Sequence, residues 1–106
     1  MKALRIHEGA RREANLATVW YAERSLPTAR RLRDELLSSF TCAATAPLRY
    51  PSYLYGTRRV HLKKFPYFIV FLDGQDEVTI VAVVHAKRKP GYWAKRVLCG
   101  CPGCGE

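Results

Sequence analysis

The chain has 106 residues, of which 48% are apolar and 25% are charged, and its formal net charge is +9. This size and composition indicate one folded domain and argue against intrinsic disorder. No apolar run approaches the roughly 20 residues that span a bilayer, and the first residues lack a signal-peptide core, so we expect a cytoplasmic protein without membrane contact. Ten basic and three acidic residues between Arg49 and Arg96 give this segment a charge of +7, which favours an anionic partner.

The first half of the chain predicts a strand followed by two helices. Lys2–His7 alternates apolar and polar residues, as a short strand does. The segment from Glu8 to about Arg24 has helical periodicity with two stripes: large residues on one side (Leu16, Val19, Trp20 and, at its end, Glu23) and an adjacent stripe that allows close packing (Ala10, Ala14, Ala17 and Tyr21). Ser25 is a favourable N-cap for a second helix, and Pro27 fits its first turn. This helix must end by Pro47.

The second half predicts three strands. Arg58–Lys64 alternates with the period of a half-buried strand, whereas Tyr67–Leu72 and Glu77–Val84 are continuous apolar runs joined by an Asp73-Gly74 turn. We therefore predict a two-layer α+β fold: a helix hairpin packed on an antiparallel sheet that contains a C-terminal three-stranded meander and the N-terminal strand.

The two apolar runs also predict an exposed surface on the sheet. Both strands have apolar residues on both faces, and one helix hairpin covers only one face. We therefore expect an exposed apolar patch on the other face, to be covered by an amphipathic partner segment with acidic residues on its polar edge.

Recognised hydrolase motifs and paired carboxylates are absent from the sequence, so cleavage of a nucleic acid would have to use cations, histidine and tyrosine without a metal. His61 lies between Arg59 and Lys63, which predicts a lowered pKa for its imidazole. Taken singly, each histidine is more often a structural hydrogen-bonding group. Tyr92 is the better candidate for stacking on a base, and Trp93 for anchoring the segment on the sheet.

The last eight residues differ in composition from the rest. Cys99, Cys101 and Cys104 form a CxCxxC pattern, but a zinc site usually has four ligands, so this is a weak metal signal. We interpret residues 1–98 as the domain and residues 99–106 as a reduced cysteine- and glycine-rich tail, and we expect neither a metal nor another cofactor.

The predicted order of elements, together with FPYFIVFL and VTIVAVVHAKRKPGYW, resembles the RelE/ParE superfamily, the toxin components of type II toxin–antitoxin systems that are often called plasmid stabilisation proteins. The resemblance spans residues 1 to about 96. It is strongest in Phe65-Pro66-Tyr67 and in a second set of residues, His85, Arg88, Pro90, Tyr92 and Trp93.

The resemblance implies one of two activities. ParE-like members poison DNA gyrase, and RelE-like members cut messenger RNA on the ribosome as metal-independent endonucleases. By that second resemblance Arg88 and Tyr92 match a late arginine and tyrosine, and Phe68 replaces an arginine. The same resemblance places Arg59, His61 and Lys63 on a strand that carries basic residues. We expect ParE-like growth inhibition through gyrase, with mRNA cleavage as the alternative and a member that only binds its antitoxin as a third.

The resemblance also implies a cognate antitoxin as partner and is compatible with a small oligomer. We predict that six basic residues contact a protein partner or a nucleic acid. They lie in the first of the three predicted strands and directly after the last one: Arg58, Arg59, Lys64, His85, Lys87 and Lys89.

Overall fold

The computed structural model describes residues 2–89 and 91–99, except for the side chains of residues 98 and 99. The elements follow in the predicted order, with a short third helix after them. They are the strands β1 (Ala3–Ile6), β2 (Arg58–His61), β3 (Tyr67–Asp73) and β4 (Glu77–His85), and the helices α1 (Glu8–Ala22), α2 (Leu26–Thr45) and α3 (Ala94–Cys99). Within the described ranges, no helix combines the length and apolarity that crossing a membrane requires.

Both long helices begin at side-chain caps. The imidazole Nδ1 of His7 accepts a hydrogen bond from the backbone N–H of Gly9 (2.9 Å), which satisfies one orphan donor at the start of α1. The Ser25 hydroxyl accepts from the N–H of Thr28 (3.4 Å), with proline in the first turn of α2, as predicted. The cap at His7 was not predicted, because the sequence placed this residue in the strand.

The sheet has the order β1-β4-β3-β2. The antiparallel meander of β2, β3 and β4 is confirmed, and β1 joins the same sheet, but it pairs with β4 in parallel, a departure from the predicted antiparallel sheet. The two helices explain this direction. α1 continues along β4 in the direction of β1, and α2 returns the chain, so that the N–H of Lys2 donates to the carbonyl of Ala44 (3.1 Å). β2 also starts at that end of the sheet. Since β3 is antiparallel to both β2 and β4, β4 runs in the same direction as β2 and therefore parallel to β1.

One face of the sheet packs against the helix hairpin. The small-residue stripe of α1 packs there as predicted, with Ala10 and Ala17 buried, while Leu32, Leu36 and Phe40 supply most of the apolar volume from α2. The large stripe of α1 behaves differently: Leu16 is 63% exposed, Val19 55% and Trp20 49%. Small side chains let α1 approach the sheet closely, and the large ones therefore remain outside.

The other face of the sheet is covered by the chain itself, so the predicted exposed apolar patch is wrong. Phe68, Val70 and Val84 are 5% exposed or less on this face. Trp93 is fully buried against them, and its ring stacks on Tyr53 with centroids 5.6 Å apart. The anchoring role predicted for Trp93 is confirmed, and the segments around these two aromatic residues take the place that the sequence assigned to a partner.

Both faces of β4 are buried, and a β-bulge changes which of its residues lie on each face. Phe71 lies opposite Ile80, whereas the preceding residue, Val70, lies opposite Ala82, so Val81 is an additional residue in β4. As a result Ile80 and Val83 belong to the core under the helices, while Val81 and Ala82 both belong to the opposite core. The continuous apolar run thus serves two cores.

Candidate functional site

The edge of β4 is free of strand pairing beyond Ile80, because β1 pairs only with Glu77–Ile80. The polar groups of this edge are bound by side chains from two helices. The N–H of Val83 donates to Glu13 Oε1 (2.9 Å), and Arg96 Nη1 donates to the carbonyl of Val81 (3.0 Å). Arg96 Nη1 also lies 3.1 Å from Glu13 Oε1, and both side chains are mostly buried. This cluster joins α1, α3 and the strand edge.

Tyr92 lies beside this cluster with its hydroxyl directed inward. The hydroxyl donates to the carbonyl of Val83 (3.4 Å). Burial, followed by the hydrogen bond and charge of Glu13, raises the pKa of Tyr92 far above its ordinary value of 10.0. The Arg88 guanidinium lies over the phenol ring, 3.8 Å from its centroid. The structure thus brings Arg88 and Tyr92 together, but it holds the phenol protonated and uses its ring as a support.

A basic turn follows β4 and carries exposed cations. The N–H of Lys87 donates to His85 Nδ1 (3.1 Å), and the N–H of Arg88 donates to the carbonyl of His85 (2.9 Å). These bonds hold the turn while Lys87, Arg88 and Lys89 remain exposed. A groove, here called the Arg88 groove, lies between α1 and β4 and is lined by Trp20, Tyr67, Val83, His85 and Arg88, among others.

Three of the basic residues in and after β2 lie at another groove, here called the β2 groove, between α2 and β2. It is lined by His61, Lys63 and Lys64, with Glu35 opposite. Glu35 accepts hydrogen bonds from the backbone N–H groups of Lys63 and Lys64. His61 and Lys63 therefore line a different groove from Arg88, with β3 between β2 and β4, so the four residues predicted for RNA cleavage do not line one site.

The two arginines of β2 are held by local contacts. Arg58 donates to the carbonyl of Tyr50 (2.6 Å), and the Arg59 guanidinium lies 4.3 Å from the centroid of the Tyr53 ring. The pKa of His61 is lowered, as predicted, but burial is the larger cause and Arg59 the second. Phe68, which stands where the resemblance has a cation, is 5% exposed beneath Arg59 and His61. An arginine at this position would bury a charge beside an existing one.

No three histidine, cysteine, aspartate or glutamate side chains gather as metal ligands within the described residues. The CxCxxC pattern lies outside that part of the chain: Cys101 and Cys104 are not described, and Cys99 is described without its side chain. The tail at 99–106 and its weak metal signal therefore stay predictions.

Sequence reasoning missed Glu13 and Arg96, which organise the strand edge. Glu13 is one acid in a helix rich in charges, and Arg96 lies in a basic segment. Their pairing across 83 positions leaves no local pattern. The nearest signal is Gly9, because a Cβ atom there would lie 2.3 Å from Arg96 Cζ; however, a glycine alone does not identify the side chain that approaches it.

A helix hairpin on a four-stranded sheet, followed by a basic turn that carries the paired Arg88 and Tyr92, defines a toxin of the RelE/ParE superfamily. The family model described as "ParE toxin of type II toxin-antitoxin system, parDE" matches residues 4–90. The chain therefore belongs to the ParE toxin family of type II toxin–antitoxin systems.

The fold is also that of a solved structure titled "Chromosomal ParDE TA system from P. aeruginosa". The match has a TM-score of 0.72 and 16% sequence identity, and it covers 82% of this chain and 98% of the other. A search of curated proteins finds no match. At this identity the structural similarity establishes the fold, whereas the family model establishes the family.

Proposed function

We propose that the protein inhibits growth in the cytoplasm by binding DNA gyrase, and that a cognate antitoxin neutralises it. Membership of the ParE family supports the toxin and antitoxin assignments. The choice of gyrase rests on the candidate site, which has the properties of a binding surface and lacks those of an assembled catalytic centre.

The environment of Tyr92 favours binding over RNA cleavage. A general base for RNA cleavage must reach the proton that it removes and must have a pKa near the working pH. The Tyr92 hydroxyl instead donates to a backbone carbonyl, and its pKa is raised by burial. The other proposed catalytic groups, His61 and Lys63, line the β2 groove. Ribosome-dependent mRNA cleavage remains the second candidate because Arg88 and Tyr92 are adjacent, and binding of the antitoxin alone is the third.

The charge distribution supports recognition of an acidic surface. Lys87, Arg88 and Lys89 are exposed on one turn, and their positive charge accelerates encounter with an anionic partner. An acidic antitoxin segment that covered this turn would remove the same charge. We propose that the antitoxin and the target compete for it.

The test compares DNA supercoiling with translation. Purified toxin should inhibit supercoiling of relaxed plasmid by gyrase, and controlled expression should cause filamentation with a DNA-damage response. A variant that combines Lys87→Glu with Lys89→Glu should lose this inhibition. The matched control combines Arg30→Glu with Arg33→Glu, which reverses two exposed charges on α2 and should retain it.

Tyr92→Phe separates the two activities. The ring and its contact with Arg88 persist, so inhibition of gyrase should persist. Under the alternative, loss of the hydroxyl should abolish codon-dependent mRNA cutting in a cell-free translation reaction. Cutting by the unaltered chain without any effect on supercoiling would refute the gyrase proposal, and no growth defect in a host without antitoxin would favour the third candidate.

A further inference from the structure

A stripe of large apolar side chains is exposed along α1. Leu16, Val19 and Trp20 are each about half exposed or more and lie at neighbouring positions on one side of the helix. The Arg24 guanidinium covers one face of Trp20, 3.6 Å from the ring centroid, and leaves the aliphatic pair beside it open. This stripe lies on the side of α1 away from its buried small residues, so it serves neither core.

The stripe extends to a charged residue at each end, with a regular spacing. Arg12, Leu16, Val19 and Glu23 are separated by four, three and four residues, which is the spacing of a coiled-coil seam. Its basic end is Arg12 and its acidic end is Glu23, and both residues are exposed. The sequence of the stripe is thus basic, apolar, apolar and acidic.

This arrangement is complementary to itself when a second helix runs in the opposite direction. A two-fold axis midway between Leu16 and Val19 sets each of these residues against the other one on the second helix. The same axis sets Arg12 of each helix against Glu23 of the other, so that both ends of the seam have opposite charges in contact. A parallel arrangement would instead oppose like charges at both ends.

We infer that α1 is a homodimerisation surface on which a second copy of this chain docks antiparallel through Leu16 and Val19, with Trp20 at the flank and Arg12–Glu23 pairs at the ends. The seam is about 17 Å long, since each helical residue adds about 1.5 Å. A seam of this length buries less surface than a standard specific interface, so we expect a weak dimer whose population rises with protein concentration. The proposal does not depend on gyrase as the target.

Sedimentation velocity of the purified chain, over a wide range of protein concentrations, tests the dimer. The unaltered chain should pass from monomer to dimer. Leu16→Glu should remain monomeric, because it sets a carboxylate in the apolar centre of the seam. The matched control is Leu48→Glu, the same change at a side chain that is 73% exposed outside α1, and it should dimerise normally. Circular dichroism checks that each variant is folded.

Charge reversal tests the antiparallel register. Arg12→Glu or Glu23→Arg alone sets like charges against each other at both ends and should weaken the dimer by about tenfold. The two changes together restore opposite charges and should return the Kd to near its original value. Docking of a different protein on this stripe would not produce that rescue.

Trp20 gives an independent readout, because its indole is half exposed in the monomer whereas Trp93 is fully buried. The Trp20 contribution to fluorescence should shift to shorter wavelength as the dimer forms. A chain that stays monomeric throughout, equal behaviour of Leu16→Glu and Leu48→Glu, or a double charge variant no better than the single ones would each overturn the proposal.

Discussion

The carboxylate of Glu13 and the guanidinium of Arg96 lie 3.1 Å apart and join α1 to α3 across the open edge of β4. Glu13 also accepts the N–H of Val83, and Arg96 donates to the carbonyl of Val81. The pair therefore satisfies backbone groups that a neighbouring strand would otherwise bind. This arrangement holds the C-terminal segment, including the buried Trp93, on the second face of the sheet.

Removing Glu13 should have a large energetic cost. Glu13→Ala leaves the buried guanidinium of Arg96 and the N–H of Val83 without this acceptor, and we expect the free energy of unfolding to fall by roughly 3–5 kcal/mol. Asp34→Ala, an exposed acid on α2, should change it by about 0.5 kcal/mol or less. Urea denaturation measures both. Equal effects of the two substitutions would contradict the role assigned to Glu13.

The effect of Gly9→Ala on stability should depend on Arg96. Glycine to alanine in a helix usually stabilises by about 0.5–1 kcal/mol. At Gly9, however, the new Cβ would lie 2.3 Å from Arg96 Cζ, so Gly9→Ala should destabilise the native chain by displacing this guanidinium. In an Arg96→Ala background the same change should stabilise. A double-mutant cycle by chemical denaturation measures the coupling, and additive effects would refute it.

Substitution of Trp93 should expose the second face of the sheet. Trp93→Ala opens a cavity over that face and should cost roughly 3–5 kcal/mol, with increased binding of an apolar dye. Trp93→Phe should cost less. It retains an aromatic ring, and the indole Nε1 has no hydrogen-bond partner among the described residues, so its removal loses no bond there. If Trp93→Ala neither unfolded more easily nor bound dye, the segment would not cover the sheet.

Tyr92 should make the protein sensitive to alkaline pH. Burial raises its pKa above the ordinary value of 10.0, so the folded state favours the neutral phenol. This contribution to stability is complete below pH 10 and is lost as the pH rises further, because the unfolded chain releases its proton first. Tyr92→Phe should lose less stability between pH 9 and about 11. Part of the loss should remain, since burial also raises the pKa values of Tyr50 and Tyr67. Identical alkaline losses in both proteins would contradict the burial of this hydroxyl.

Local sequence patterns determined the elements and their order. The cap at Ser25 and the strands at the two apolar runs are confirmed. The strand predicted for Arg58–Lys64 also forms, but it ends at His61, so Lys63 and Lys64 lie after it. The cations after β4 could also be identified, because they are consecutive in the sequence, whereas the turn that carries them was not predicted. The resemblance to the RelE/ParE superfamily followed from these local segments.

Tertiary structure alone decided how the second face is covered, which stripe of α1 is buried and where the candidate residues lie. The bulge at Val81 sends neighbouring side chains to one face, Trp93 meets Tyr53 across forty positions, and Glu13 meets Arg96 across 83. Such contacts depend on where the backbone returns in space, and an individual acid or arginine in the sequence does not specify its distant partner. For this reason the sequence predicted the fold but not which residues the folded chain leaves exposed.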